Sequence, residues 1–223
     1  IEKIKPTDPN KIVLTFTNSF GGQKNNFPLR GGLECLMVYK DLYESGNTNL
    51  FLNLVGPVNV DDELLEWFKN CENVSIHGPN TVIHGREMLT DDVIHNILLD
   101  TDIFLIPACR IHSMSVVRAL CYGNVVIGSN GWGFNEFLDE EHCCDGQEKA
   151  TYLEDGILKE RYSINLEQPN LVLLASLKDK ITNLIKNCSK IDKIKEHNLI
   201  SSKDRFSKKK RDIMLEHIIE NML

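Results

Sequence analysis

The feature that most constrains the fold is a regular alternation of short apolar runs with longer amphipathic stretches between residues 11 and 129. The apolar runs are rich in β-branched residues, as expected of central strands that are buried on both faces of a parallel sheet. Strands that alternate with helices form βαβ units. We therefore predict an α/β domain with a Rossmann-like open parallel sheet flanked by helices.

The boundaries of these elements follow from the apolar runs and from residues that end helices. Asp61, Thr90 and Ser113 favour helix starts, because their side chains can accept hydrogen bonds from the free amides there. Gly46 and Gly123 favour helix ends, because glycine readily adopts the left-handed conformation that follows a last helical turn. The predicted strands are residues 11–17, 49–55, 73–77, 102–106 and 124–128, and the predicted helices are 32–45, 61–70, 90–100 and 113–122.

The alternation weakens after residue 136. Residues 139–165 are polar, and we interpret them as an insertion around a sixth strand near 157–164. Apolar residues at helical spacing predict two final helices, 171–187 and 203–222. We divide the chain into a linker at 1–10, the main domain at 11–200 and a C-terminal helix at 201–223. Because the chain begins with Ile1 rather than Met, we expect it to be part of a longer protein.

Composition narrows the classes of function. The 223 residues, 42% of them hydrophobic, suffice for one core, and no apolar run has the length of a membrane helix. The net charge of −7 argues against wholesale nucleic-acid binding. A basic run near the C-terminus is best interpreted as a solvated helix face; it comprises Lys203, Arg205, Lys208, Lys209, Lys210 and Arg211.

The seven cysteines are not arranged like metal ligands. No CxxC pair is present, and adjacent Cys143 and Cys144 rarely bridge each other. We expect a reduced, cytoplasmic protein without a metal site, in which most thiols act as small apolar side chains.

Ligands of open parallel sheets bind beyond the carboxyl ends of the strands, where loops and helix N-termini converge. The loop after the first strand ends in Arg30, Gly31 and Gly32. Glycines permit close backbone approach and an arginine suits a diphosphate. The loop matches neither GxGxxG nor the Walker A pattern. The alternative is a glycine-rich turn with a solvated Arg30.

The loop after the fourth strand supplies a second candidate anion site. Arg110, His112, Ser113 and Ser115 surround a predicted helix start, where free amides favour an anion. Taken alone, His112 is better explained as a structural histidine, but the cluster favours function. Arg118, about two turns beyond Arg110, faces either the same ligand or a neighbouring carboxylate.

The loop after the fifth strand reads SNGWGFNEFL. Gly131 and Gly133 suggest backbone amides open to a ligand, Trp132 lies between them, and the Glu136 carboxylate can accept bonds from sugar hydroxyls. Alternatively, Trp132 is a packing residue and Glu136 caps a short helix. We favour function because this loop converges with the other two.

In order, these segments resemble the C-terminal, donor-binding domain of GT-B glycosyltransferases, in particular glycosyltransferase family 4, the glycosyl transferases group 1. The likeness covers nearly the whole chain. It is carried by the segments RGGLECLMVYKDL, NLFLNLVGP, NVSIHG, TDIFLIPA and RALCYGNVVIGSNGWGFNEFL.

The resemblance implies where each part of a nucleotide-diphosphate sugar would bind. The base would lie along residues 84–89. The diphosphate would lie on Arg30, Gly31, Gly32, Arg110, Ser113 and Ser115. The sugar and ribose would lie near His112, Arg118, Gly131, Trp132, Gly133 and Glu136.

This sequence departs from the family's pattern at five positions around the loop after the fourth strand. The family's paired glutamates fall at Arg110 and Arg118, and its Gly-Phe-Gly becomes Ile111, His112 and Ser113. A guanidinium donates hydrogen bonds but cannot accept them, so the contacts to ribose and sugar must differ. The chain is either a divergent branch with different donor handling or a noncatalytic copy.

By resemblance, the function is transfer of a sugar from a nucleotide-diphosphate sugar to a hydroxyl acceptor such as a glycan, with retention and without a metal or other cofactor. No catalytic residue is assigned. The expected partners are donor, acceptor and an N-terminal domain that lies outside this chain, with peripheral membrane contact only through the full-length enzyme. The alternatives are a nucleotide-sugar epimerase, which needs no acceptor, and a noncatalytic nucleotide-binding module.

Overall fold

The computed structural model describes residues 5–18, 26–83, 86–147, 151–152, 158–159, 168–207 and 209–210. The elements are, in chain order, β1 (Ile12–Thr17), α1 (Asn26–Leu29), α2 (Gly32–Glu44), β2 (Leu50–Val55), α3 (Asp62–Asn70), β3 (Val74–His77), β4 (Thr81–Ile83), β5 (Arg86–Met88), α4 (Asp91–Asp100), β6 (Ile103–Leu105), α5 (Ser113–Cys121), β7 (Val125–Ser129), β8 (Cys143–Cys144), β9 (Thr151–Tyr152), β10 (Leu158–Lys159), α6 (Leu171–Ile185) and α7 (Cys188–Arg205).

The main sheet confirms the predicted fold class. Its six strands run in the order β3-β2-β1-β6-β7-β8, and every neighbouring pair is parallel. The five predicted strands are all present, and each end lies within one residue of its predicted place. The order reverses between β1 and β6, which is where doubly wound sheets bind their ligands.

Both faces of the sheet are buried beneath helices. On β6, Ile103 and Leu105 pack into one apolar cluster with α2 and α6, whereas Phe104 packs into a second cluster with α5. Alternate side chains of a strand point to opposite faces, so a continuous apolar run fills both layers.

The sixth strand of the sheet is not where the sequence predicted it. It is β8, in which Cys143 pairs with Gly128 of β7. Of the predicted strand at 157–164, Leu158–Lys159 pairs antiparallel with Thr151–Tyr152, and the other residues lie outside the described ranges. A strand of two residues is too short to produce a periodic pattern.

A hairpin and a helix were also missed. Strands β4 and β5 pair antiparallel within residues 78–89, where the sequence analysis predicted neither a strand nor a helix. Helix α7 begins at Cys188, whereas a helix was predicted only from 203. Its buried residues are Ile191, Lys195 and Ser202, so it lacks a clear apolar stripe. The predicted helix at 171–187 is confirmed as α6. The predicted start of a helix at 203 is wrong, because residues 203–205 are the end of α7 and residues 206 and 207 are not helical. Residues 211–223 lie outside the described ranges.

Residues ahead of β1 contact the domain. The amide of Thr7 donates to Asp192 of α7, and Lys195 donates to the carbonyl of Lys5. The division of the chain at residues 10 and 200 stays a prediction. All seven cysteines are thiols, with Cys35 and Cys144 buried. None of the described helices is both long and apolar enough to cross a membrane.

Candidate functional site

The candidate site lies at the carboxyl ends of β1 and β6, where the strand order reverses. The turn before α2 and the loop after β6 meet there, since the amide of Cys109 donates to the carbonyl of Leu29 over 3.0 Å. Gly31 makes this approach possible. Its φ is 73°, and a Cβ at this position would lie 2.7 Å from the carbonyl oxygen of Pro107.

Arg30 and His112 form the centre of the site. Nη2 of Arg30 lies 3.1 Å from Nδ1 of His112, and Nη1 donates to the carbonyl of Thr17. Arg30 is only 6% exposed. The alternative of a solvated Arg30 is therefore wrong, because this guanidinium is held between β1 and the loop after β6.

Arg110 completes a group of three basic side chains. Burial and the positive charge of Arg110 lower the pKa of Arg30 to about 10. Burial, followed by the charges of Arg30 and Arg110, lowers the pKa of His112 to about 4. Arg30 thus remains charged at neutral pH, while His112 is neutral. Such a group favours an anion that lies among its members.

The loop after β7 is attached to this group through its backbone. The amide of Ile111 donates to the carbonyl of Trp132, and the amide of Trp132 donates to the carbonyl of Cys109. Gly131 allows the contact, because a Cβ there would lie 2.5 Å from the Cys109 carbonyl oxygen. The indole of Trp132 is 45% exposed, which makes it accessible to a ligand.

Helix α5 begins beside the group, but not all its first amides are available. The amide of Ser115 donates to the carbonyl of His112 over 2.9 Å, so this amide is used within the protein. No described side chain caps the helix at His112. Ser113 is exposed at the helix start, and roles for Ser113 and Ser115 in binding a diphosphate stay predictions.

Two predicted residues lie farther from the centre. Arg118 donates to Asp91 of α4 over 2.8 Å, which agrees with a neighbouring carboxylate as its partner. Glu136 is exposed in the short 3-10 helix Phe134–Glu136, which begins after Gly133. It ends this helix rather than capping its start. Roles for Arg118 and Glu136 in ribose or sugar binding stay predictions.

Sequence reasoning missed two polar side chains that support the site. Glu34 in the first turn of α2 is buried and accepts from the amide of Asn170, and burial raises the pKa of its carboxyl group. Gln147 donates to the carbonyl of Pro107 over 2.7 Å. The sequence does contain a signal for Glu34: it is a charged residue directly before Cys35, where the apolar stripe of α2 begins.

A second cavity among the described residues lies away from the carboxyl ends of the strands. A cleft of about 450 Å³ lies between α7 and residues 137–142, beside Val126 near the amino end of β7 rather than at its carboxyl end. Within the described ranges, no group of three or more His, Cys, Asp or Glu side chains could hold a metal ion. Of the predicted base-binding segment, residues 84 and 85 lie outside the described ranges.

The sequence itself matches no family model and no curated protein. Solved structures do match. HepE from Anabaena, solved in complex with UDP and glucose, covers 95% of this chain with a TM-score of 0.58 at 13% identity. The C-terminal domain of LpcC, a glycosyl transferase group 1 family protein from Francisella tularensis, covers 87% of it with a TM-score of 0.56 at 13% identity.

The chain has the fold of one half of a GT-B glycosyltransferase. The match covers 48% of HepE, so this chain spans about half the length of that protein. It also covers 85% of the isolated LpcC domain. HepE has also been solved with UDP-glucose.

Proposed function

We propose that this chain is the donor-binding domain of a glycosyltransferase, which transfers a sugar from a nucleotide-diphosphate sugar to a hydroxyl acceptor. The observation that carries the proposal is the contact of Arg30 with His112 beside Arg110, at the point where the strand order reverses. The same fold in HepE, solved with UDP and glucose, supports a nucleotide-sugar donor.

The chemistry of the site suits departure of a nucleoside diphosphate. As the glycosidic bond breaks, negative charge accumulates on the phosphate oxygen that leaves the sugar. Preorganised positive charges and hydrogen-bond donors stabilise that charge most when they are already held in place. Arg30 meets this condition, because β1 and the loop after β6 fix its guanidinium before any ligand arrives.

The basic group also agrees with transfer that needs no metal ion. A divalent cation serves in many transferases to neutralise the diphosphate, and Arg30 and Arg110 would supply positive charge in its place. The half-exposed Trp132 beside them offers an apolar surface for a sugar ring. Retention of configuration and a role in glycan biosynthesis belong to this proposal on the resemblance alone.

Calorimetry with UDP, GDP, ADP and their glucose conjugates tests the proposal. We expect binding of at least one pair, and Arg30→Ala should weaken it by about tenfold or more, because a charged hydrogen bond is lost. Arg205→Ala is the control. It removes a guanidinium at the end of α7 that contacts Phe137 and Phe206 rather than the site, so the affinity should not change. If no nucleotide binds, the proposed function is overturned.

Catalysis requires a separate measurement. The enzyme should release a nucleoside diphosphate from its donor only when the second half of the protein and a hydroxyl acceptor are present. Nucleotide binding without any release in the full-length protein would instead favour the noncatalytic module. The replacement of the family's glutamates by Arg110 and Arg118 makes this the decisive comparison.

A further inference from the structure

The contact between Arg30 and His112 fixes the protonation state of the imidazole. Nη2 of Arg30 lies 3.1 Å from Nδ1 of His112. A guanidinium has only donors, so Nδ1 must accept the hydrogen bond. The ring is therefore neutral, and its proton is on Nε2.

The same geometry opposes the charged imidazole. If Nδ1 were protonated, its N–H group would face the N–H group of Arg30 Nη2, and the hydrogen bond between them would be lost. Among the described residues, Arg30 in the turn before α2 and Arg110 in the same loop as His112 both disfavour a third positive charge. Burial of the ring acts in the same direction.

A bound diphosphate would reverse each of these effects. Its oxygens are stronger acceptors than an imidazole nitrogen, so they would take the Arg30 donor away from Nδ1. Its negative charge would also offset the guanidinium charges of Arg30 and Arg110. The nitrogen that held Arg30 would then face an anion, and a proton on it would be stabilised.

We propose that His112 takes up a proton from solvent when a diphosphate binds, and exchanges its contact with Arg30 for a contact with a phosphate oxygen. The inference rests on the proposed function. Before binding, the neutral ring positions Arg30; after binding, the imidazolium becomes a third cation on the ligand. The step forms one N–H bond, at Nδ1, and the solvent or buffer supplies the proton.

The exchange makes donor affinity depend on pH with a defined sign. Binding raises the pKa of His112 above its value of about 4 in the free protein. Affinity should therefore rise as the pH falls below the pKa of the bound state, by up to about tenfold per pH unit, and level off below the pKa of the free state.

Calorimetry tests for the proton directly. Binding of UDP-glucose, GDP-glucose and ADP-glucose is measured near pH 6 in buffers that differ in ionisation enthalpy. Both phosphates of these donors are esterified, so they lack the phosphate group that titrates near pH ~6. The observed enthalpy should rise with the ionisation enthalpy of the buffer, because a proton taken up by the complex leaves the buffer. Imidazole NMR should show a raised pKa of His112 in the complex.

His112→Asn is the matched variant. The Asn oxygen can take the place of Nδ1 and accept from Arg30, asparagine is favoured at a helix N-cap such as this position, and the side chain cannot be protonated. We expect it to bind the donor without proton uptake and with a flatter pH profile. Binding to the wild-type chain with no change in the pKa of His112 would overturn the inference alone. Failure of all the donors and their nucleotides to bind would overturn the proposed function, and this inference with it.

Discussion

Nζ of Lys195 lies 2.8 Å from Oδ1 of Asp102, and both side chains are buried. Asp102 also accepts from the hydroxyl of Thr7 and from the amide of Val13. The ion pair therefore joins the segment ahead of β1, the beginning of β6 and the middle of α7. Its charges are satisfied by several hydrogen bonds, as buried charges require.

Replacement of Lys195 by Met should destabilise the domain strongly. The substitution keeps the volume but leaves the Asp102 carboxylate buried without its cation, and such losses amount to about 3–5 kcal/mol. Urea unfolding measures the change. Lys190→Met on the same helix is the control, because Lys190 is half-exposed and its loss should alter the free energy of unfolding by less than about 0.5 kcal/mol. Equal effects of the two variants would contradict the structural role of the pair.

Gly31→Ala should disrupt the junction that carries the site. A Cβ at Gly31 would meet the Pro107 carbonyl oxygen at 2.7 Å and would also be strained at a φ of 73°. We expect a loss of about 2–4 kcal/mol in unfolding free energy. Gly46→Ala separates the two causes, because φ is 101° there but nothing lies within 4 Å, so only about 1 kcal/mol should be lost. A cost for Gly31→Ala no larger than that for Gly46→Ala would show that the close approach is unimportant.

The fold was predictable wherever burial leaves a pattern in the sequence. Strand β1 is a continuous apolar run, and the end of α2 is marked by Gly46. Helix α7 was missed because Lys195 occupies a buried position that an apolar residue usually fills. Strand β8 was missed because the pairing of Cys143 with Gly128 depends on the sheet rather than on local preference.

Trp132→Ala should separate a packing role from a ligand role for the indole. Since the side chain is 45% exposed, its removal should lower the free energy of unfolding by less than about 2 kcal/mol. Phe134→Ala, two residues along, removes a fully buried ring and should lose about 3–5 kcal/mol. If Trp132 contacts the sugar, its loss should weaken binding of UDP-glucose more than binding of UDP. A loss of stability as large as that of Phe134→Ala would identify it as a packing residue.

Glu34→Gln should change how stability depends on pH. Burial raises the pKa of Glu34 above its usual 4.5, so the folded chain binds the proton more tightly than the unfolded chain. In the wild type, this group's contribution is fully present below pH 4.5 and is lost as the pH rises through the folded pKa. Glutamine removes that loss and can still accept from the amide of Asn170. Urea unfolding from about pH 4 to 8 should show that the free energy of unfolding of the variant increases relative to that of the wild type as the pH rises. A difference that is constant with pH would show that Glu34 has an ordinary pKa.

The residues of the candidate site were easier to predict than their contacts. The rule that ligands bind at the carboxyl ends of strands selected the loops of Arg30 and His112, and the residues around His112 favoured a function for it. Their contact joins positions 82 residues apart, and the sequence assigned the two residues to different parts of a ligand. Only the packing of the turn before α2 on the loop after β6 brings them together.

The backbone bonds between residues 109–111 and Trp132 have a mechanical consequence. Peptide groups that share hydrogen bonds move as one body, so the loops that carry Arg110 and Trp132 cannot shift separately without breaking the contacts of Cys109 and Ile111. A shift of the backbone at Trp132 would therefore also shift the backbone at Cys109 and Ile111, on either side of Arg110.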